Sequence, residues 1–106
     1  MQQMEFRETT VFTKRVTNIL SDEAYAELQN TLRIRPDAGA VIRGSGGIRK
    51  LRWKTESSGK RGGLRIIYYC YVSAERIYML YLYKKNEQQD LTPRQIHLLR
   101  QVIEED

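Results

Sequence analysis

Two apolar runs lie almost end to end in this sequence. Leu64 to Ser73 and Arg76 to Lys84 are rich in β-branched and aromatic residues, and only Ala74-Glu75 separates them. So short a link favours a tight antiparallel hairpin. Both runs are apolar on both parities, so each strand has to be covered on both faces over part of its length. A small sheet with this hairpin at its centre, and layers packed against it, is the architecture the rest of the chain must complete.

The flanking segments supply those layers. Met4 and Phe6 alternate with Glu5 and Arg7 between Met4 and Thr9, the period of a half-buried edge strand. Val11, Phe12, Val16, Ile19 and Leu20 then fall at helical spacing. Ser21-Asp22-Glu23 starts a second helix, with an N-cap hydroxyl and two acids in the first turn. Ala24, Leu28 and Leu32 continue it until Pro36, because a residue before proline avoids the α region. Asp37 to Gly47 reads as a loop. From Ile48 to Lys54 the pattern alternates again, which sets Lys50, Arg52 and Lys54 on one strand face and Leu51 and Trp53 on the other. Thr92-Pro93-Arg94-Gln95 combines an N-cap, a proline at the first helical position and a glutamine at the third, and opens a helix carrying Ile96, Leu98, Leu99 and Ile103. The expected fold is α+β in the order β-α-α-β-β-β-α, with two N-terminal helices packed on a small antiparallel sheet. At 106 residues it forms a single domain spanning 1–106.

No run approaches the roughly 20 apolar residues of a membrane span, and MQQMEFRETT lacks the apolar stretch of a signal peptide, so a cytoplasmic location is expected. Cys70 is the sole cysteine, which excludes an internal disulfide and a C-x-x-C metal pair and leaves it a small core residue.

The net charge of +5 is unevenly distributed. Between Arg43 and Arg65 eight basic residues face Glu56 alone, a local balance of +7, and the remaining chain sums to −2. Such concentration points to a polyanion, above all nucleic acid. Several chemistries drop out by inventory. The glycines at 44, 46 and 47 form no G-x-x-x-x-G-K-[ST] phosphate loop. His97 has no metal-ligand neighbours at suitable spacing and no G-x-S-x-G serine to activate, so no metal or cofactor site is read. The basic segment also lacks the clustered carboxylates of a two-metal nuclease. A basic, tyrosine-rich face can bind phosphates, and it can also cut RNA without a metal. The 2′-hydroxyl is a built-in nucleophile, so the protein need only align it, neutralise the phosphate oxygens and move two protons. Arginine suits the clamp, and a lysine among other cations suits proton transfer.

Three blocks, GIRKLRW from Gly47, GKRGGLRIIYY from Gly59 and LYKKNEQQDLT from Leu82, resemble the RelE/ParE toxin superfamily, specifically its HigB-like branch. The resemblance implies a RelE-like α+β fold and the toxin of a type II toxin–antitoxin system. It further implies a metal-independent mRNA endoribonuclease that enters the ribosomal A site, cuts translated mRNA and inhibits translation. A cognate antitoxin would hold it silent, commonly one with a helix-turn-helix domain, and contact with DNA would come only through that complex. In this sequence Arg65 corresponds to the arginine that contacts the scissile phosphate, and Lys85, or its neighbour Lys84, to the basic residue after the last strand. Lys50 and Arg52, with Lys54, correspond to the basic set on the strand before the glycine loop, and Lys60 and Arg61 are expected to grip RNA. The tyrosine that stacks on the substrate base in the family archetype is absent between Asn86 and Thr92, and Tyr68 is the expected substitute. ParE-type relatives act on DNA gyrase, so a non-catalytic binding module is the alternative. For the antitoxin, Val11, Phe12 and Tyr25 are candidate docking residues, with core packing as their other role.

Overall fold

The computed structural model describes residues 4–55 and 63–105. Its elements are β1 (Glu5–Glu8), α1 (Thr10–Ile19), α2 (Asp22–Ile34), β2 (Ala40–Val41), β3 (Arg49–Trp53), β4 (Leu64–Tyr71), a 3-10 turn (Val72–Ala74), β5 (Arg76–Lys84) and α3 (Pro93–Glu105). The central hairpin is β4 and β5, inside a five-stranded sheet ordered β1-β5-β4-β3-β2. The α+β class with two N-terminal helices on a sheet holds, with three corrections of detail.

First, the sheet is mixed. β1 pairs with β5 in parallel, Glu5 opposite Arg76 through Glu8 opposite Met79, while the other pairs are antiparallel. Period-two patterning marks a strand but is silent on its direction, and the long intervening chain supplies the crossover a parallel pair needs. Second, the stretch read as loop contains β2, which pairs Ala40 with Lys50 and Val41 with Arg49. Its turn back to β3 is organised by Ser45, whose hydroxyl donates to the Ile42 carbonyl (2.6 Å) and accepts from the Ile48 amide (3.0 Å). Third, the β4–β5 connection is longer than two residues. It runs through Val72–Ala74 to Glu75, which takes a left-handed conformation (φ 52°) and donates its amide to the Val72 carbonyl (3.0 Å).

The helix boundaries follow the caps. Thr9 accepts from Phe12 N, and Ser21 from Ala24 N. Thr92 and Gln95 form the reciprocal capping pair, with Gln95 N donating to Thr92 Oγ1 (3.1 Å) and Thr92 N to Gln95 Oε1 (2.9 Å). α1 and α2 lay Phe12, Val16, Leu20, Leu28 and Leu32 on one face of the sheet, against Leu64, Ile66, Tyr68, Ile77, Met79 and Leu82. The opposite face carries Ile48, Ile67, Tyr78, Leu80 and Tyr83, covered by Leu91 and by Ile96, Leu99 and Ile103 of α3.

A β-bulge decides which β5 residues belong to which face. The hairpin pairs Tyr68 with Met79 but Ile67 with Tyr81, so Leu80 is an extra residue. One extra residue reverses the parity of everything beyond it. Thus Ile77 and Met79 face α1 and α2, yet past the bulge Leu82 does, and Tyr81 and Tyr83 join the α3 face. Thr9 stabilises the irregularity. Its hydroxyl donates to the Leu80 carbonyl (2.8 Å) and its amide to the Met79 carbonyl (3.1 Å), while the same hydroxyl caps α1.

Candidate functional site

Residues directly opposite across a ladder share a face and sit with Cβ atoms about 5 Å apart. The register pairs Arg52 with Arg65 and Arg65 with Tyr83, and sets Lys50 opposite Ile67. Lys50, Arg52, Arg65 and Tyr83 therefore form one patch on the α3 face, at the end of the sheet where β3 and β5 finish and β4 begins. The bulge is what seats Tyr83 there. A regular hairpin continued from the Tyr71–Arg76 pair would have brought Leu82 opposite Arg65.

Two arginines opposite each other repel. Arg65 is only 8% exposed, and its guanidinium donates to the Leu64 carbonyl (3.3 Å). Among the described residues neither Arg52 nor Arg65 has a carboxylate within ion-pair distance. A buried, unneutralised cation is costly unless an anion arrives to meet it, and such sites are candidates for function. Asp90 is close enough for the Arg65 charge to be felt. Its carboxyl is held below the usual range, first by the hydrogen bond from Lys50 Nζ (2.6 Å) and the Lys50 charge, with Arg65 adding to it. Tyr83 is fully buried, with its hydroxyl 3.4 Å from the Gln89 carbonyl. Burial pushes its pKa up, as does Asp90, while Arg65 pulls it down.

Gly63 draws the strand ends together. It has φ +119°, a side chain there would meet the Trp53 carbonyl at 3.1 Å, and its own carbonyl accepts from the Lys85 amide (3.2 Å). Lys85 is thereby tied, through backbone, two residues from Arg65, with its side chain exposed. Lys54 follows the last residue of β3 and is exposed. Lys60 and Arg61 lie outside the described residues.

Two expected site residues are on the wrong face. Tyr68 is 0% exposed on the α1/α2 side. Its hydroxyl accepts from Gly39 N (2.8 Å) and donates to the Pro36 carbonyl (2.7 Å), and burial raises its pKa. A ring sealed in the core cannot stack on a substrate base, so the stacking role is withdrawn. Lys84 pairs with Leu64 on that same side and lines a shallow depression with Arg15, Asn18 and Glu87. Of the docking candidates, Phe12 is core and Tyr25 packs against it with ring centroids 5.8 Å apart, whereas Val11 is exposed.

Sequence reasoning missed Asp90, Tyr83 and the Arg15–Glu87 pair. Arg15 reaches from α1 to donate to both Glu87 oxygens (2.8 and 2.9 Å) and to the Leu82 carbonyl (2.7 Å), and lies over the Tyr81 ring. Glu87 in turn accepts from Lys84 N (2.8 Å). This staple fixes the loop that carries Lys85 and Asp90. No local pattern announces it, because its members are 72 residues apart.

Among the described residues no group of three or more His, Cys, Asp or Glu side chains could hold a metal ion, and no helix is long and apolar enough to cross a membrane. A family model for the RelE toxin of the RelE/RelB toxin–antitoxin system matches residues 18–105. Among solved structures, a mutant of the Escherichia coli toxin RelE with two arginines replaced by alanine, in its free state, matches with a TM-score of 0.60. The match covers 94% of this chain and 96% of that one at 13% identity, a likeness of fold.

Proposed function

The chain belongs to the RelE toxin family, the toxin half of a toxin–antitoxin pair, and from that premise we propose that it is a ribosome-dependent endoribonuclease that cuts translated mRNA in the A site. The observation that carries this reading is the facing pair Arg52 and Arg65 with no carboxylate to neutralise it among the described residues. A phosphate is the anion whose geometry two guanidinium groups fit. In the proposed reaction the 2′-oxygen bonds to phosphorus as the P–O5′ bond breaks, leaving a 2′,3′-cyclic phosphate and a 5′-hydroxyl; one proton leaves O2′ and one is delivered to O5′, while Arg65 and Arg52 hold the non-bridging oxygens as charge builds on them. Lys50, released from Asp90 when the backbone arrives, and Lys85 are the groups positioned to move protons. Lys54, Lys60 and Arg61 contact flanking phosphates, and the chemistry requires no metal.

The reading extends to the HigB-like branch on the strength of the three sequence blocks. It includes a cytoplasmic, single-domain toxin and an antitoxin whose helix-turn-helix domain makes any DNA contact. The test is 5′-end mapping of transcripts after inducing the wild type and Arg65→Ala without antitoxin. Cuts within reading frames that vanish in the variant are expected. Unimpaired translation with soluble wild-type protein defeats the reading, and arrested growth with intact transcripts and inhibited gyrase would favour the ParE-type alternative.

A further inference from the structure

One acid stands inside the basic patch. Lys50, Arg52 and Arg65 share a face, and among the described residues Asp90 is the carboxylate that reaches them, accepting from Lys50 Nζ at 2.6 Å and feeling the Arg65 charge. Ion pairs at a surface are commonly of little consequence, because two long side chains must be frozen to make them. This acid instead arrives on a short side chain from a backbone that is already fixed. On one side the Gln88 amide group donates to the Asp90 carbonyl (2.8 Å) and to Gln95 Oε1 of α3 (3.1 Å), while the Tyr83 hydroxyl lies against the Gln89 carbonyl. On the other, Leu91 is buried in the α3-face core and Thr92 caps α3. The loop therefore delivers a carboxylate to the patch, yet leaves its side chain 72% exposed and open to competition.

We propose that Asp90 is a built-in stand-in for the RNA backbone, a carboxylate that holds Lys50 in the free protein and is displaced by a phosphate when the substrate is seated. The inference rests on the ribonuclease reading and deepens it by naming what regulates access to the site. A carboxyl held below the usual range is a weak base near neutral pH, which suits Asp90 to the part of counter-anion rather than proton acceptor. Left in place beside a bound phosphate, it would repel it. An internal competitor raises the apparent dissociation constant of every ligand by the reciprocal of the fraction of protein in which the site is open. A free strand meets that factor in full, whereas mRNA held against the protein on the ribosome is presented at high effective concentration and overcomes it. Asp90 thereby biases the toxin toward RNA that is presented over RNA that is merely dissolved.

Full-length wild type, Asp90→Asn and Asp90→Glu are titrated with a fluorescein-labelled 2′-O-methyl hexanucleotide, which lacks the attacking hydroxyl, between about 50 and 200 mM KCl. Asp90→Asn should bind about three- to fivefold more tightly at the low-salt end. Its log K should also fall more steeply with log salt, by about 0.7 for the one cation set free. Asp90→Glu keeps the charge and should keep the wild-type slope, and in a Lys50→Met background Asp90→Asn should leave the slope unchanged. On programmed ribosomes the effect of Asp90→Asn should fall on KM, lowered by a similar factor, and not on kcat, because the bound state has already parted Lys50 from Asp90. Equal affinity and slope in wild type and Asp90→Asn overturn the inference. So does a kcat lowered by about tenfold or more with RNA affinity unchanged, which would put Asp90 in the chemistry. Because the probe cannot be cut, the two readings fail separately. Equal slopes beside intact transcript cleavage defeat the competitor alone, whereas the steeper slope in a protein that cuts no transcript supports the competitor and defeats the nuclease reading.

Discussion

Replacing Tyr68 by phenylalanine separates structure from chemistry at the residue whose expected role was overturned. The ring stays and only the hydroxyl leaves. That hydroxyl accepts from the Gly39 amide at 2.8 Å and donates to the Pro36 carbonyl at 2.7 Å. Gly39 is buried, so its stranded N–H should cost about 1–3 kcal/mol. Pro36 is partly accessible and its carbonyl can recover water, so that loss should be nearer 0.5–1 kcal/mol. Together the change should destabilise by roughly 2–3 kcal/mol, or about 10–15 °C in melting temperature for a domain of this size. Urea unfolding by circular dichroism should show a lower midpoint at unchanged slope, because the surface exposed on unfolding does not change. Cleavage per folded molecule should equal wild type at a temperature where both are folded. A variant as stable as wild type but deficient in cleavage would refute the reasoning and return Tyr68 to the reaction.

Arg65→Ala should lower cleavage by about 10²-fold or more while retaining most RNA binding, measured by single-turnover kinetics on programmed ribosomes, with Arg65→Lys intermediate. Gly39→Ala should destabilise by roughly 1–3 kcal/mol in thermal unfolding, since its Cβ would meet the Lys50 carbonyl and the Tyr68 ring, each at 2.9 Å. Alkaline pH should unfold the protein progressively. Burial raises the Tyr68 and Tyr83 pKa above the ordinary value of 10.0, so the native state retains protons that the unfolded chain releases. Stability is therefore level below about pH 10 and falls above it, and Tyr68→Phe should flatten that limb. The Glu87 carboxyl behaves oppositely. The Lys84 amide and then Arg15 hold it below 4.5, so its contribution is present above that pH and disappears as pH falls through the lowered value. Arg15→Lys, which gives up the two-pronged grip, should weaken this acid limb by at most about 1 kcal/mol and raise KM as the Lys85 loop loosens.

What the sequence made legible were the features written in a local code. Thr92 and Gln95 mark the start of α3, Ser21 marks that of α2, and alternation in β3 puts Lys50 and Arg52 together. Parity alone also separates Arg65 from Tyr68, three positions along one strand, and that signal outweighs the want of an aromatic near the site. The extra residue at Leu80 left no such mark. Its effect, Tyr83 rather than Leu82 opposite Arg65, depends on Thr9 from another part of the chain. Asp90 was equally hidden, because an acid 40 positions from Lys50 becomes its partner only when the loop after β5 folds back over β3.

The parallel pairing of β1 with β5 imposes an order on synthesis. β1 precedes every other strand among the described residues, yet its neighbour begins at Arg76, 71 residues later. Until then Phe12 and Val16 of α1 have no sheet of their own to rest on, and contacts spanning so much chain are slow to form. A nascent chain that has completed β4 still lacks the strand bearing Tyr83 and the loop bearing Lys85 and Asp90. Neither the fold nor the arginine patch can mature in instalments. The arginine patch is complete only when β5 has paired with β4 and the loop after it has brought Asp90 to Lys50.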